Sequence, residues 1–181
     1  EVFTFVATGT TAQLLGHVTF SILTTLYAGT DADLLRETAR SLLDQRHPFG
    51  EWVILLHGPI APAVENVVAD CAADPRVRVI RRDEHAGIVG GMGLCLQQAS
   101  SEYVVPMDAD DLLAPDALHV LAAEIRSARP DLIYTDEDTY RDGTAVSPFF
   151  RPDFDRVLNA ENSYVWHLCA YRKDEAVRLG V

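Results

Sequence analysis

The sequence predicts an α/β fold, a doubly wound, mostly parallel sheet flanked by helices, and three observations carry that expectation. Apolar strand-length runs alternate with helix-periodic segments five times along residues 17–134, the pattern of βα units that wind a parallel sheet. Turn signals such as His57-Gly58-Pro59 and Asp74-Pro75 fall at the joins. One apolar run, Tyr103-Val104-Val105-Pro106-Met107, stops in Asp108-Ala109-Asp110-Asp111. That places acids at the carboxyl end of a strand, the ligand-binding edge of an open α/β sheet.

Each element follows from its local pattern. The run His17-Val18-Thr19-Phe20-Ser21-Ile22-Leu23-Thr24 reads as the first strand. Thr30-Asp31 starts a helix whose apolar face is Leu34, Leu35, Ala39, Leu42 and Leu43. A second strand spans 52–56. The helix after it, with Val64, Val67, Val68 and Cys71 on one face, stops at Asp74-Pro75, because proline disfavours a helical conformation in the residue before it. A third strand is expected over 76–81, a glycine-loosened helix over 88–99, the acid-tipped strand up to Asp108, a helix over 115–128 and a short strand over 131–134. Past Tyr134 the alternation breaks off. Thr135-Asp136-Glu137-Asp138, a turn at Asp142-Gly143 and the aromatic stretch around Phe149-Phe150 wrap over the ligand edge, ending in a strand over 164–171 and a short helix over 172–179.

With 181 residues, the chain suffices for one well-packed domain and is too short for two ordinary ones. A formal net charge of -12 argues against a nucleic-acid partner, since counterion release needs clustered cations. No apolar run reaches the roughly 18–20 residues of a membrane span, and no basic-then-apolar leader opens the chain. Cys71, Cys95 and Cys169 are odd in number and widely spaced, so they read as reduced core residues of a cytoplasmic protein, not as a disulfide or zinc framework. Glu1 and Val181 both read as cut points in a longer polypeptide, which leaves membrane association elsewhere open.

On an extended chain, side chains alternate, so Asp108 and Asp110 face one side and Ala109 the other. Two hard oxygen ligands on one face suit Mg²⁺ or Mn²⁺, which keep several waters and take further ligands from substrate phosphates. The plain structural use of these acids is to cap the following helix, and Asp111 is assigned to that use or to a place just outside the ligand set.

Further motifs stand in order along the chain. They are Val18 through Tyr27, the helix Leu34-Leu35-Arg36-Glu37-Thr38-Ala39, Val79-Ile80-Arg81-Arg82 with Gly87-Ile88, and Ile133-Tyr134-Thr135-Asp136-Glu137-Asp138. Phe150-Arg151-Pro152-Asp153-Phe154, His167-Leu168 and Tyr171-Arg172 follow. With Asp108-Ala109-Asp110-Asp111 they resemble the nucleotide-sugar-dependent glycosyltransferases of the GT-A (Rossmann-like) fold, in particular the inverting family 2 members that build bacterial surface polysaccharides. The resemblance implies one domain over 1–181, with 17–134 as its nucleotide-binding core and 135–181 as an incomplete sugar- and acceptor-side segment. It implies a nucleotide diphosphate sugar donor, a glycan or polysaccharide acceptor, and Mg²⁺ or Mn²⁺ as cofactor. Asp110 is then the metal ligand, Asp108 a ribose contact or second ligand, and His167 a metal or phosphate contact. Thr24, Thr25 and Tyr27 lie where the nucleoside binds, while His57, a departure from the family, either hydrogen-bonds the base or marks a pocket that has changed partner. Arg82 or its neighbour Arg81 offsets phosphate charge, Gly87 makes the turn after the third strand, and Asp136 faces the sugar.

Three departures limit the resemblance. Leu56-His57 stands where the family usually has two aspartates that read the base, and Gly93 stands where asparagine is common. An inverting transfer also needs a general base for the acceptor hydroxyl; in the family this carboxylate lies downstream of the His-Leu strand, beyond Val181. Glu137 and Asp138 are weak substitutes. The alternative is therefore a non-catalytic GT-A-like binding or scaffold module of a larger synthase. Haloacid-dehalogenase phosphatases also end a strand in Asp-x-Asp, but after their first strand, whereas here the pair follows the fourth.

Overall fold

A computed structural model describes residues 18–141 and 143–180; His17, Asp142 and Val181, at the margins of elements expected above, lie outside them. The chain runs β1 (Phe20–Leu26), α1 (Ala32–Leu43), β2 (Glu51–His57), α2 (Pro62–Cys71), β3 (Val77–Arg82), α3 (Gly87–Gln98) and β4 (Tyr103–Pro106). It continues through α4 (Ala117–Ala128), β5 (Leu132–Tyr134), β6 (Glu137–Arg141), β7 (Thr144–Phe149), α5 (Arg156–Glu161), β8 (Cys169–Arg172) and α6 (Lys173–Leu179). Asp31 starts α1 as the expected cap, its Oδ1 accepting from the N–H groups of Asp33 and Leu34 at 2.8 and 3.1 Å. The buried stripe of α1 is Leu35, Thr38, Ala39 and Leu42. Leu34 and Leu43, assigned to it from sequence, are partly exposed, because i, i+3, i+4, i+7 spacing from Leu35 turns them aside.

The main sheet has the order β3-β2-β1-β4-β8-β5. Its first four strands pair in parallel, as expected, but the far edge differs from a fifth parallel unit. β8 inserts between β4 and β5 and is antiparallel to both, with Tyr103 opposite Arg172 and Ile133 opposite Ala170. The last strand is also shorter than the expected 164–171. Tyr164 O accepts from Arg151 Nε and Ser163 O from the Trp166 indole, so side chains occupy carbonyls near its start and the ladder begins only at Cys169. β6 and β7 form a separate antiparallel hairpin.

Helices cover both faces. Phe20, Ile22, Trp52, Ile54, Leu35, Leu42, Val64 and Leu121 pack the face carrying α1, α2 and α4, while Leu23, Val53, Leu55, Cys95, Leu96 and Ala176 pack the α3 and α6 face. Gly91 makes the close approach of α3 feasible. A Cβ there would stand 3.1 Å from Thr25 Cγ2 and 3.4 Å from His57 Cε1, which explains a glycine in a helix that its propensity weakens. At the amino edge of the sheet, Glu51 is buried and accepts from Ser21 Oγ at 2.6 Å, from Ser100 Oγ at 2.7 Å and from the Ser100 N–H, with Arg78 at 3.6 Å. All three cysteines are free and buried. Among the described residues no helix is long and apolar enough to cross a membrane.

Candidate functional site

The site begins where β4 stops. Met107 N–H still bonds Leu23 O at 2.9 Å, and then the chain turns, with Asp111 N 3.5 Å from Asp108 O. Polar residues of α1 and of the turn after it hold this loop. Thr38 Oγ1 donates to Ala109 O at 2.9 Å, Ser41 Oγ accepts from Leu113 N at 3.1 Å, and Gln45 bonds both Ala114 O and Leu118 N. The expected strand alternation at Asp108 therefore does not reach the acids. A turn brings positions i and i+3 together, so Asp108 and Asp111 converge and Asp110 is exposed outside that pair. Asp111 does not cap α4 either, since Asp116 occupies that position.

His167 completes the group from the loop before β8. Its Nε2 lies 3.4 Å from Asp108 Oδ2 and its Nδ1 3.3 Å from Asp111 Oδ2. One ligand atom from each of Asp108, Asp111 and His167 falls within a mutual 4.8 Å. Asp111 Oδ2 is itself inaccessible and among the described residues has no hydrogen-bond partner, despite its nearness to the imidazole. Burial pushes the Asp111 carboxyl above its ordinary range; His167 opposes this, while Asp108, Asp110 and Glu137 add to it. An acid held among acids with one oxygen unsatisfied is a site short of positive charge. Two carboxylates and an imidazole are a donor set that fits a divalent cation.

A second cluster lies at the carboxyl ends of β1, β2 and β3. His57 is 2% exposed, and its ring stacks on His85 with centroids 4.3 Å apart. The edge of His85 meets Tyr27 at 6.1 Å. His57 Nδ1 accepts from Ala86 N–H and His85 Nδ1 from Gly87 N–H, both at 3.1 Å, so each ring in this arrangement carries its proton on Nε2 when neutral. Burial lowers the His57 pKa, and His85 adds to that. Gly87 adopts φ +70° at the start of α3. Thr25 is half-buried beside Gly91, and Tyr27 is about half exposed. Thr24 is a correction, being fully buried with its Oγ1 accepting from the Trp52 indole at 3.0 Å, so it has no surface to offer a ligand. Arg81 is engaged with Glu65 on α2 at 2.6 and 2.7 Å, whereas Arg82 is exposed opposite His57 in the sheet register.

The segment after β5 is tied down by Arg151. Asp136 Oδ1 accepts from Arg151 N–H at 2.7 Å, and Glu137 Oε1 lies 2.9 Å from the guanidinium. Asp138 is exposed on β6. Sequence reasoning passed over His85, Arg151 and the pairing of Asp108 with Asp111. The available signals were the i, i+3 spacing of the two acids, a histidine two residues before Gly87, and a lone arginine inside an aromatic stretch.

A parallel sheet with one antiparallel strand inserted beside β4, and chemistry gathered at the carboxyl edge, defines the GT-A class of Rossmann-like proteins. S. aureus TarS 1-349, solved with UDP-GlcNAc, shares the fold with a TM-score of 0.73 and 19% identity, over 91% of this chain and 48% of that one. The mannosyltransferase PcManGT of Pyrobaculum calidifontis, solved with GDP-Man and Mn²⁺, gives a TM-score of 0.61 and 22% identity, over 89% of this chain and 46% of that one. The chain belongs to glycosyl transferase family 2, whose family model matches residues 21–178. Among curated relatives, the uncharacterized protein y4gI of Sinorhizobium fredii is 36% identical over 144 residues, 76% of this chain and 16% of that protein. The O-antigen biosynthesis protein RfbC of Myxococcus xanthus is 27% identical over 173 residues, 93% of this chain and 13% of that protein. The chain thus spans a small part of these relatives and about half of the solved chains.

Proposed function

We propose that this chain is the donor-binding part of a metal-dependent inverting glycosyltransferase that moves a sugar from a nucleotide diphosphate sugar to a glycan or polysaccharide acceptor. The observation that carries this reading is the unsatisfied Asp111 Oδ2 in the cluster with Asp108 and His167, on the ligand edge of the sheet. Family membership supports the reaction class, and the UDP-GlcNAc and GDP-Man complexes of the two solved neighbours support the donor class. The O-antigen role of RfbC supports a polysaccharide acceptor. Unpaired cysteines fit a reducing compartment, so we assign the reaction to the cytoplasm.

In this reading Asp108, Asp111 and His167 hold the ion, and Asp110, exposed on the same turn, is a further ligand. A bound ion supplies positive charge to the diphosphate as the sugar leaves. An imidazole in the set favours Mn²⁺ over Mg²⁺, which prefers an all-oxygen shell. Thr25, Tyr27, His57 and His85 form the nucleoside end, where His57 acts through its stack on His85 because its own ring is covered. Arg82 and Gly87 lie toward the phosphates and Asp136 toward the sugar. Glu137 is engaged with Arg151, so Asp138 is the freer candidate for the acceptor base. The domain division is that of a nucleotide-binding core over 17–134 and a sugar-side segment over 135–181.

Titration calorimetry with UDP-, GDP- and dTDP-sugars in the presence of Mn²⁺ tests the proposal. Binding of one donor, lost without the ion and weaker with Mg²⁺, is expected; a folded chain that takes none of them overturns it. The buried His57, standing where the resembled enzymes carry an acid, favours a second reading as a non-catalytic module. Donor binding without release of nucleoside diphosphate by the longer polypeptide, whatever the glycan acceptor, would select that reading.

A further inference from the structure

Arg151 carries a side chain that is 2% exposed, and each of its three guanidinium nitrogens meets a different residue. Nε donates to Tyr164 O at 2.6 Å, Nη1 donates to Thr135 O at 2.8 Å, and Nη2 lies 2.9 Å from Glu137 Oε1. Its backbone N–H is taken by Asp136. A buried guanidinium is costly unless its donors are satisfied, and here the acceptors come from both segments that frame His167. Tyr164 lies three residues before the histidine. Leu168, the residue after it, is bound to Thr135, with Thr135 N donating to Leu168 O at 3.0 Å and Leu168 N to Thr135 Oγ1 at 3.3 Å. Residues 164–168 belong to no strand, so no ladder holds the imidazole in place. The fork of Arg151 ties the segments on either side of it, at Tyr164 and at Thr135.

We infer that Arg151 is the positioning residue of the cation cluster: by clamping Thr135 and Tyr164 it fixes His167 between Asp108 and Asp111, and so sets the affinity for the divalent ion without touching it. This rests on the proposed cation site. It goes further in giving the post-β5 segment a role in the donor pocket. Lysine cannot replace the fork, because one ammonium does not span three acceptors in different directions.

The experiment measures Mn²⁺ uptake by electron paramagnetic resonance in the parent chain, Arg151→Lys and Arg151→Ala, with thermal unfolding followed in parallel. Arg151→Lys keeps a buried charge and guards against simple failure to fold. Both variants are expected to bind Mn²⁺ about 10- to 100-fold more weakly, the usual cost of losing a partner that orients a ligand. Free guanidinium, at a concentration too low to denature, is expected to restore Arg151→Ala toward the parent. Parent-like affinity in Arg151→Lys, or a loss in Arg151→Ala that guanidinium does not reverse, overturns the inference. A parent chain that takes up no Mn²⁺ removes the cation site itself and this inference with it, an outcome distinct from a variant that binds as the parent does.

Discussion

Glu51 and Asp111 are acids at opposite edges of the same sheet, and the chain surrounds them in opposite ways. Burial alone would raise the Glu51 carboxyl, but hydrogen bonds from Ser21 and Ser100, with Arg78 nearby, hold it below its ordinary value of 4.5. Asp111 has no comparable donors. Burial raises it above 3.8, three further acids add to the shift against the opposing His167, and among the described residues its Oδ2 has no hydrogen-bond partner. At the amino edge the fold provides every partner its acid needs, so Glu51 joins β1, β2 and the end of α3 as a structural pin. At the carboxyl edge the missing partner is positive charge, which the proposed ion would supply. The difference separates the two acids better than burial or acidity does.

Removing Asp111 tests that contrast most severely. Asp111→Ala is expected to lower Mn²⁺ affinity by on the order of 100-fold or more, beyond the loss typical of an orienting partner, with the fold intact by circular dichroism. Parent-like affinity would place the ion elsewhere. Glu51→Ala should do the reverse. Loss of several charge-assisted hydrogen bonds is expected to cost about 3 kcal/mol in urea unfolding, with Mn²⁺ affinity unchanged.

The two edges also titrate with opposite sign. For Glu51, a lowered pKa means stability that is present above pH 4.5 and lost as pH falls through the folded value. For Asp111, a raised pKa means stability that is present below pH 3.8 and lost as pH rises through the folded value. Asp111→Asn should therefore be more stable than the parent at neutral pH and converge with it in acid, where Glu51→Gln diverges least from the parent. Chemical unfolding across pH 3–8 reads both slopes.

The smallest effect concerns His57. Its pKa lies below the ordinary 6.5, so the unfolded chain takes up the proton first and stability falls as pH drops from 6.5 toward the folded value. His57→Gln should flatten that part of the profile. An unchanged slope would assign it to another group.

Much of the fold was legible because it is local. Asp31 announces α1 by the oxygen it offers to two free N–H groups, and Val64, Val67, Val68 and Cys71 mark the inner face of α2 by spacing alone. Alternation ends at Met107, one step before the acids. It holds only while the chain is extended, and the chain bends there because Thr38 and Ser41 of α1, with Gln45 just past its end, capture the following loop. Thr24 reads from sequence as a nucleoside contact, but the indole of Trp52, twenty-eight residues away, donates to its hydroxyl.

By itself the sequence determined the alternating βα core, the acids at the tip of β4, the unpaired cysteines and the resemblance to a sugar-nucleotide family, since each depends on neighbours along the chain. Tertiary structure decided that β8 enters the sheet between β4 and β5, that Asp111 rather than Asp110 faces His167, that His57 stacks on His85, and that Arg151 braces the loop behind the cluster. Those outcomes join residues far apart in sequence. Their energies come from burial and from hydrogen bonds that exist only once the layers have packed, which no local pattern records.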